Sequence, residues 1–180
     1  MAMDEATPQL ARVADPTRDA DWYALYADQL PRIYNFFRYR VGDGAVAEDL
    51  TSRTFEKAWS SRHRYRRDLA GFGTWLVTIA RNVATDHWRT RRAHAPLEAA
   101  ADVAGGATPE ELAERRSDFE HLSRLLADLG DRERELVALK YGAGLTNRAI
   151  AVSTGLSESN VGTLLHRTVT ALRAAWPERT

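Results

Sequence analysis

The stretch Phe72–Arg92, FGTWLVTIARNVATDHWRTRR, constrains this chain more than any other. It has the period of an α-helix and two unlike faces. Trp75, Leu76, Ile79 and Val83 recur at spacings that put them on one side, where they form a stripe to be buried. Arg81, Asn82, Trp88 and Arg89, followed by Arg91 and Arg92, fall largely outside that stripe. Guanidinium groups bind phosphate, an Asn amide reads a base edge, and an indole stacks on an unpaired base. A surface with all three chemistries suits opened DNA. Phe72 and Trp75 read as core; Trp88, among polar neighbours, is the better stacking residue.

Almost every other periodic segment is helical too. Asp21–Val41 carries Trp22, Leu25, Tyr26, Leu30, Ile33 and Phe37, and Gly42-Asp43-Gly44 stops it. A second helix over about residues 45–61 has Leu50, Phe55 and Trp59 as apolar positions, and the basic loop SSRHRYRRDLAG leads on to the third. Residues 94–107 are Ala- and Gly-rich and weakly patterned, as a linker is. Thr108-Pro109-Glu110-Glu111 then signals a helix start, with Thr108 as N-cap, Pro109 at the first position and Glu111 completing a capping box. That helix runs to about Leu129. Gly130-Asp131 restarts the chain for Arg132–Tyr141, and helices over Thr146–Thr154 and Ser157–Trp176 follow. No run alternates as a half-buried strand does. The expected fold class is therefore all-α: two small helical domains, about 20–93 and 108–177, joined by a flexible linker at 94–107 and preceded by a flexible segment, 1–19.

Composition excludes several function classes. With 44% hydrophobic residues in 180, a packed core is expected and wholesale disorder is not. The absence of Cys removes disulfides, thiolate zinc sites and cysteine nucleophiles together. No apolar run approaches the ~20 residues needed to cross a bilayer, and the acidic N-terminus, broken by Pro8, does not read as a signal peptide. A cytoplasmic protein without membrane insertion is expected. His63, His87, His94, His121 and His166 lack metal-ligand spacing, and there is no Gly-rich phosphate loop or nucleophile elbow. No metal, no cofactor and no enzymatic activity are expected.

The zero net charge conceals segregation. Residues 20–93 hold 13 basic against 8 acidic side chains, residues 94–135 hold 5 against 11, and residues 136–180 hold 5 against 2. Two basic blocks thus flank an acidic middle, which either avoids nucleic acid or engages a basic partner.

Thr146–Trp176 reads as a helix-turn-helix. Ile150 and Ala151 face inward on its first helix, Gly155 permits a positive φ in the turn, and Leu156 plugs the space between the helices. Ser157 caps the second helix, with Val161, Leu164, Leu165, Val169 and Leu172 as its inner stripe. Ser159, Asn160, Gly162, Thr163, His166 and Arg167 point outward. Short polar groups near that helix N-terminus suit a major groove, with Arg167 placed for phosphate.

The segments AEDL, FEKAW, WLVTIARN…DHWR and LLADLGDRERELVALKY, in that order before the helix-turn-helix, resemble the sigma factors of bacterial RNA polymerase. The resemblance is to the extracytoplasmic-function (ECF) type of the sigma-70 family and covers nearly all the chain after its first 20 residues or so. It implies a protein that directs core polymerase to promoters and assists promoter melting. Glu48, Asp49, Phe55 and Trp59 would dock on the β′ clamp helices, and the β flap is a further implied contact on core polymerase. Arg81, Asn82, Trp88, Arg89, Arg91 and Arg92 would follow the minus-ten strand, and the loop with His63, Arg64 and Tyr65 would capture a flipped-out base. Arg148, Ser159, Asn160, Gly162, Thr163, His166 and Arg167 would read the minus-thirty-five element. The implied partners are core polymerase, promoter DNA both duplex and single-stranded, and an anti-sigma factor. The chain departs from the family at Val46, where an Asp is usual, at Arg53, where many members have an acid, and at Gly162 and Leu164, which replace basic residues. A helix-turn-helix homodimer on a palindromic duplex and an adaptor that binds polymerase without DNA are the alternatives.

Overall fold

Local chemistry accounts for where the helices begin and end. In the computed structural model, which describes residues 19–93 and 109–176 (side chains of 21–91 and 117–176), α1 spans Asp19–Val41, α2 Gly44–Ser61 and α3 Phe72–Ala93. Then come α4 at Pro109–Ala127, α5 at Asp131–Val137, α6 at Asn147–Thr154 and α7 at Glu158–Ala175. A 3-10 turn at Arg62–Arg64 prolongs α2, and a π-helical turn at Ala138–Gly142 prolongs α5. The expected linker at 94–107, the N-terminal segment up to Arg18, the Thr108 cap and the Glu111 side chain lie outside the described residues.

Gly42 ends α1 with a φ of 78°, which favours glycine. Asp43 then begins α2: its carboxylate accepts from the Val46 N–H at 2.8 Å. The expected stop is thus a stop and a start together. Pro31 sits inside α1 without ending it. An interior proline costs about 3 kcal/mol of helix stability, and the burial of Ile33, Phe36 and Phe37 just beyond it offsets that cost.

The core is continuous across both helical groups. Ile33, Phe36, Phe37, Leu50 and Leu76 from the first three helices are buried in one cluster with Leu126, Leu136, Leu139, Ile150 and Val161 from the last four. On α3 the buried stripe is Leu76, Val77, Ala80, Val83 and Ala84, while Trp75 and Ile79 are only half-buried. The stripe is rotated from the expected one because the small Ala80 and Ala84 pack inward and the bulky Trp75 and Ile79 sit at the seam.

The two groups meet along α1. A Cβ on Gly142 would lie 2.8 Å from both the Asn35 carbonyl oxygen and the Phe36 Cα, so the π turn rests directly on the α1 backbone. Arg40 is buried, and its guanidinium donates to the Asp131 carbonyl at 3.2 Å. Farther along, the Arg38 guanidinium stands 4.2 Å above the ring of Phe119 in α4, with Tyr39 edge-on to the same ring.

Candidate nucleic-acid interface

The outer face of α3 is a stripe of exposed residues, Thr78, Asn82, Thr85 and Arg89, spaced i, i+4, i+7, i+11. The Thr78 and Thr85 hydroxyls donate to carbonyls of their own helix, at Thr74 and Arg81. The Asn82 amide, exposed between them, is the group on this stripe best suited to a base edge. Arg89 leans on Asp86 at 3.2 Å, and Asp86 also meets Lys57 of α2 at 3.3 Å, so the C-terminal part of α3 is held to α2. Arg91 is exposed; the Arg92 side chain is outside the described residues.

Two expected members of this face are placed otherwise. Trp88 is half-buried, edge-on to His87, with its indole nitrogen shielded from solvent. It forms the flank of the stripe and not an open platform. Arg81 points toward the second helical group. Its Nε donates to Glu135 Oε1 at 2.8 Å, and its guanidinium also donates to the Ser153 carbonyl in α6. Arg81 lies one position round from the Asn82 stripe, and that offset turns it into the seam between the groups.

The basic loop divides likewise. His63 and Arg64 are exposed. Tyr65 is half-buried against Phe72 and Trp75, with ring centroids 5.7 and 5.3 Å apart, and its hydroxyl donates to the Ala70 carbonyl at 3.1 Å. Burial pushes the Tyr65 phenol above its ordinary pKa. Tyr65 is therefore an anchor that ties the loop to α3, a correction to its expected place at a flipped base. The anchor belongs to an aromatic cluster not foreseen from sequence: Trp22 packs on Trp59 at 5.1 Å and on Phe72 at 5.8 Å, and Arg62 stacks 3.7 Å over Trp59. The apolar positions of Trp22 on α1, Trp59 on α2, and Phe72 and Trp75 on α3 are the signal that could have revealed it.

On α2, Glu48 and Asp49 are exposed, as a docking surface requires. Phe55 is not: only 6% of it is accessible, and its ring lies 4.5 Å from that of Tyr26. It supports the face from beneath. Trp59, half-buried under Arg62, does the same. A shallow groove beside Glu48 is lined by Leu30, Pro31, Tyr34, Thr51 and Ser52. The two departures on this helix have structural readings. Val46, at the third position of α2, packs against the core. Arg53 pairs with Asp49 at 2.9 Å, one turn away, which partly neutralises the acidic face.

The helix-turn-helix is built as the sequence reading expects. Thr146 accepts from the Ala149 N–H and Ser157 from the Asn160 N–H, each at 3.2 Å, and Gly155 has a φ of 72°. Val161, Leu165 and Thr168 are the buried positions of α7, with Leu164, Val169 and Leu172 at the edge. Arg148, Ser159, Asn160, Thr163, His166 and Arg167 are exposed and can reach a groove. Gly162 does not share that open face. It is half-buried, and a Cβ there would meet Asn147 Nδ2 of α6 at 3.6 Å, an ordinary contact.

A basic helical module with one exposed Asn stripe, carried on one chain with a helix-turn-helix, defines a protein of transcription. Residues 25–94 match Sigma-70 region 2, and residues 119–172 match Sigma-70, region 4. The chain is 34% identical over 167 residues to the RNA polymerase sigma factor CarQ of Myxococcus xanthus, covering 91% of this chain and 93% of that one. It is 35% identical over 159 residues to the ECF RNA polymerase sigma factor BldN of Streptomyces coelicolor, covering 86% of this chain but only 60% of that one's length. Among solved structures, the sigma factor RpoE of Bartonella quintana, in complex with the anti-sigma factor NepR, shares the fold with a TM-score of 0.69 at 20% identity, over 86% of this chain and 95% of that one. CnrH, in complex with the cytosolic domain of CnrY, aligns with a TM-score of 0.64 at 21% identity, over 90% and 91%. The chain belongs to the sigma-70 family, in its ECF group. Sigma factors are regulatory initiation factors rather than catalysts. No described helix is long and apolar enough to cross a membrane.

Proposed function

We propose that this protein is a cytoplasmic promoter-specificity subunit that brings core RNA polymerase to promoters with two spaced elements and assists melting at the downstream one. The observation that carries the reading is the exposed Asn82 on the outer face of α3, in one chain with the open N-terminal face of α7. Glu48 and Asp49, backed by Phe55 and Trp59, dock on the β′ clamp helices, and the C-terminal helices on the β flap. Asn82 reads the minus-ten strand, with Arg89, Arg91 and Arg92 on its phosphates. His63 and Arg64 border the pocket for an extruded base, and Tyr65 holds their loop in place. Arg148, Ser159, Asn160, Thr163, His166 and Arg167 read the minus-thirty-five duplex.

No catalytic step of the protein's own and no cofactor are needed. Free energy gained on unpaired and flipped bases draws the duplex toward its open state. An anti-sigma partner fits this reading, because the fold relative RpoE described above is held by the anti-sigma factor NepR.

Transcription from a pool of promoter fragments by core bacterial polymerase, with and without this protein, tests the proposal. Protein-dependent initiation at fragments that share two spaced elements is expected. Co-migration with core polymerase without initiation would replace it with the adaptor reading. Loss of both would replace it with the duplex-binding regulator.

A further inference from the structure

We propose that the cleft between α2 and the C-terminal half of α3 binds a nucleoside diphosphate, with Arg53 and Arg91 on its phosphates and Glu56 on its ribose.

The first support is size and shape. The cleft has a volume of about 490 Å³, within the range of roughly 300–1,000 Å³ that small-molecule sites occupy. Lys57 and Asp86 pair across it at 3.3 Å and hold the two helices together. Asp86 also meets Arg89, so that carboxylate is already neutralised. Arg53 lies one turn before Lys57 on α2, and Arg91 lies beyond Asp86 and His87 on α3, so the two arginines share the other end of the cleft.

The second is charge. Arg53 holds Asp49 through Nε and Nη2, at 3.1 and 2.9 Å. That two-point pair fixes the guanidinium plane and leaves Nη1 to donate into the cleft. Arg91 meets no carboxylate among the described residues, and its guanidinium stands 5.8 Å from the ring of Trp88. Both cations disfavour protonation of His87, behind the larger effect of burial, and Asp49 opposes them. Two guanidinium groups thus converge on one imidazole, against an acid that Arg53 already engages. An anion relieves such crowding, and phosphate oxygens match the guanidinium fork. Arg53 is one of the two departures on α2, so this charge belongs to the present chain.

The third is the remaining lining. Val83 is a buried apolar contact, and the His87 ring and the Thr90 methyl group continue it. A sugar and a base can cover these surfaces, which a bare anion would leave unused. The His87 Nε2 is buried with no hydrogen-bond partner among the described residues. The Glu56 carboxylate is exposed on the α2 side and can accept from a ribose hydroxyl.

Isothermal titration calorimetry of the full chain, with ADP and with inorganic pyrophosphate in metal-free buffer, tests the assignment. One ADP per chain should bind, more tightly than pyrophosphate. Arg53→Gln and Arg91→Gln should each weaken ADP about 10-fold or more, the scale of one lost charge-assisted hydrogen bond. Glu56→Gln should weaken ADP and not pyrophosphate. Arg132→Gln, at an exposed position on α5, should change neither.

No heat with either compound at millimolar concentration would overturn the site. Equal weakening by Arg132→Gln would overturn it as well, leaving only diffuse attraction of an anion to a basic surface. Pyrophosphate bound as tightly as ADP would overturn the nucleoside assignment. A short single-stranded DNA of random sequence that binds more tightly than ADP, and loses that affinity with Arg53→Gln, would give the cleft to nucleic acid instead. Binding is read on the free chain without core polymerase or promoter, so its absence would leave the promoter reading standing.

Discussion

Replacing Asn82 by Ala should move stability and function in opposite directions. Asn82 is exposed in the middle of α3, and its neighbours on the stripe, Thr78 and Thr85, bond to their own helix. Truncation therefore breaks no contact among the described residues. Ala is the better helix former, by up to ~0.7 kcal/mol per residue. The variant should gain a few tenths of a kcal/mol, which in a chain of this size is a rise in Tm of about 1–2 °C. Promoter opening should fall instead. A good amide contact with a base edge is worth about 1–3 kcal/mol, so open-complex formation should drop about 5- to 150-fold. Thermal unfolding reads the first effect. Permanganate reactivity of unpaired thymines, in complexes with core polymerase, reads the second. Unchanged opening would remove Asn82 from the DNA interface. A lower Tm would mean that Asn82 holds part of the fold, contrary to its exposure.

Three further outcomes follow from the same geometry. Gly162→Ala should stabilise the protein by about 0.5–1 kcal/mol in denaturant titrations, since it removes a helix-interior glycine where a Cβ finds only an ordinary contact with Asn147. Arg53→Ala should cost no more than ~0.5 kcal/mol of stability, because its pair with Asp49 is exposed; by freeing that carboxylate it should tighten binding to core polymerase in a competition assay. His87 has its pKa lowered by burial first and by Arg91 and Arg53 next, with Asp49 opposing. The folded protein therefore resists protonating it while the unfolded chain does not. Its contribution to stability is complete above the ordinary His value, near 6.5, and declines as pH falls through the lower folded value. Unfolding free energies measured on both sides of that value should fall less steeply for His87→Gln; an identical slope would contradict the assignment.

What could be read from the residues in order is whatever is settled within a few positions along the chain. Thr146, Gly155 and Ser157 act on amides or torsions no more than four residues away, so the helix-turn-helix was legible in its caps and its turn. Exposure of Asn82, Glu48 and His166 was legible for the same reason: a helical period tells which residues share a face. It does not tell which neighbour covers that face. Arg81 was expected on open DNA-facing surface, yet its ligands are 54 and 72 residues away. Tyr65 looked like part of a basic loop until Phe72 and Trp75 closed on it, and Gly162 looked outward until α6 was laid beside it.

The sequence by itself determined the all-α class and the starts and stops of most helices, and its motifs carried the resemblance to the family. The class and the helix ends depend on local hydrogen bonds and on a repeat of 3.6 residues, which the chain carries wherever it is placed. Only the tertiary structure decided that a glycine at 142 would let the second group of helices rest on α1, and that Glu135 would meet Arg81 there. Those contacts are made by shape and charge between distant segments, and no local pattern encodes the pairing of one face with another.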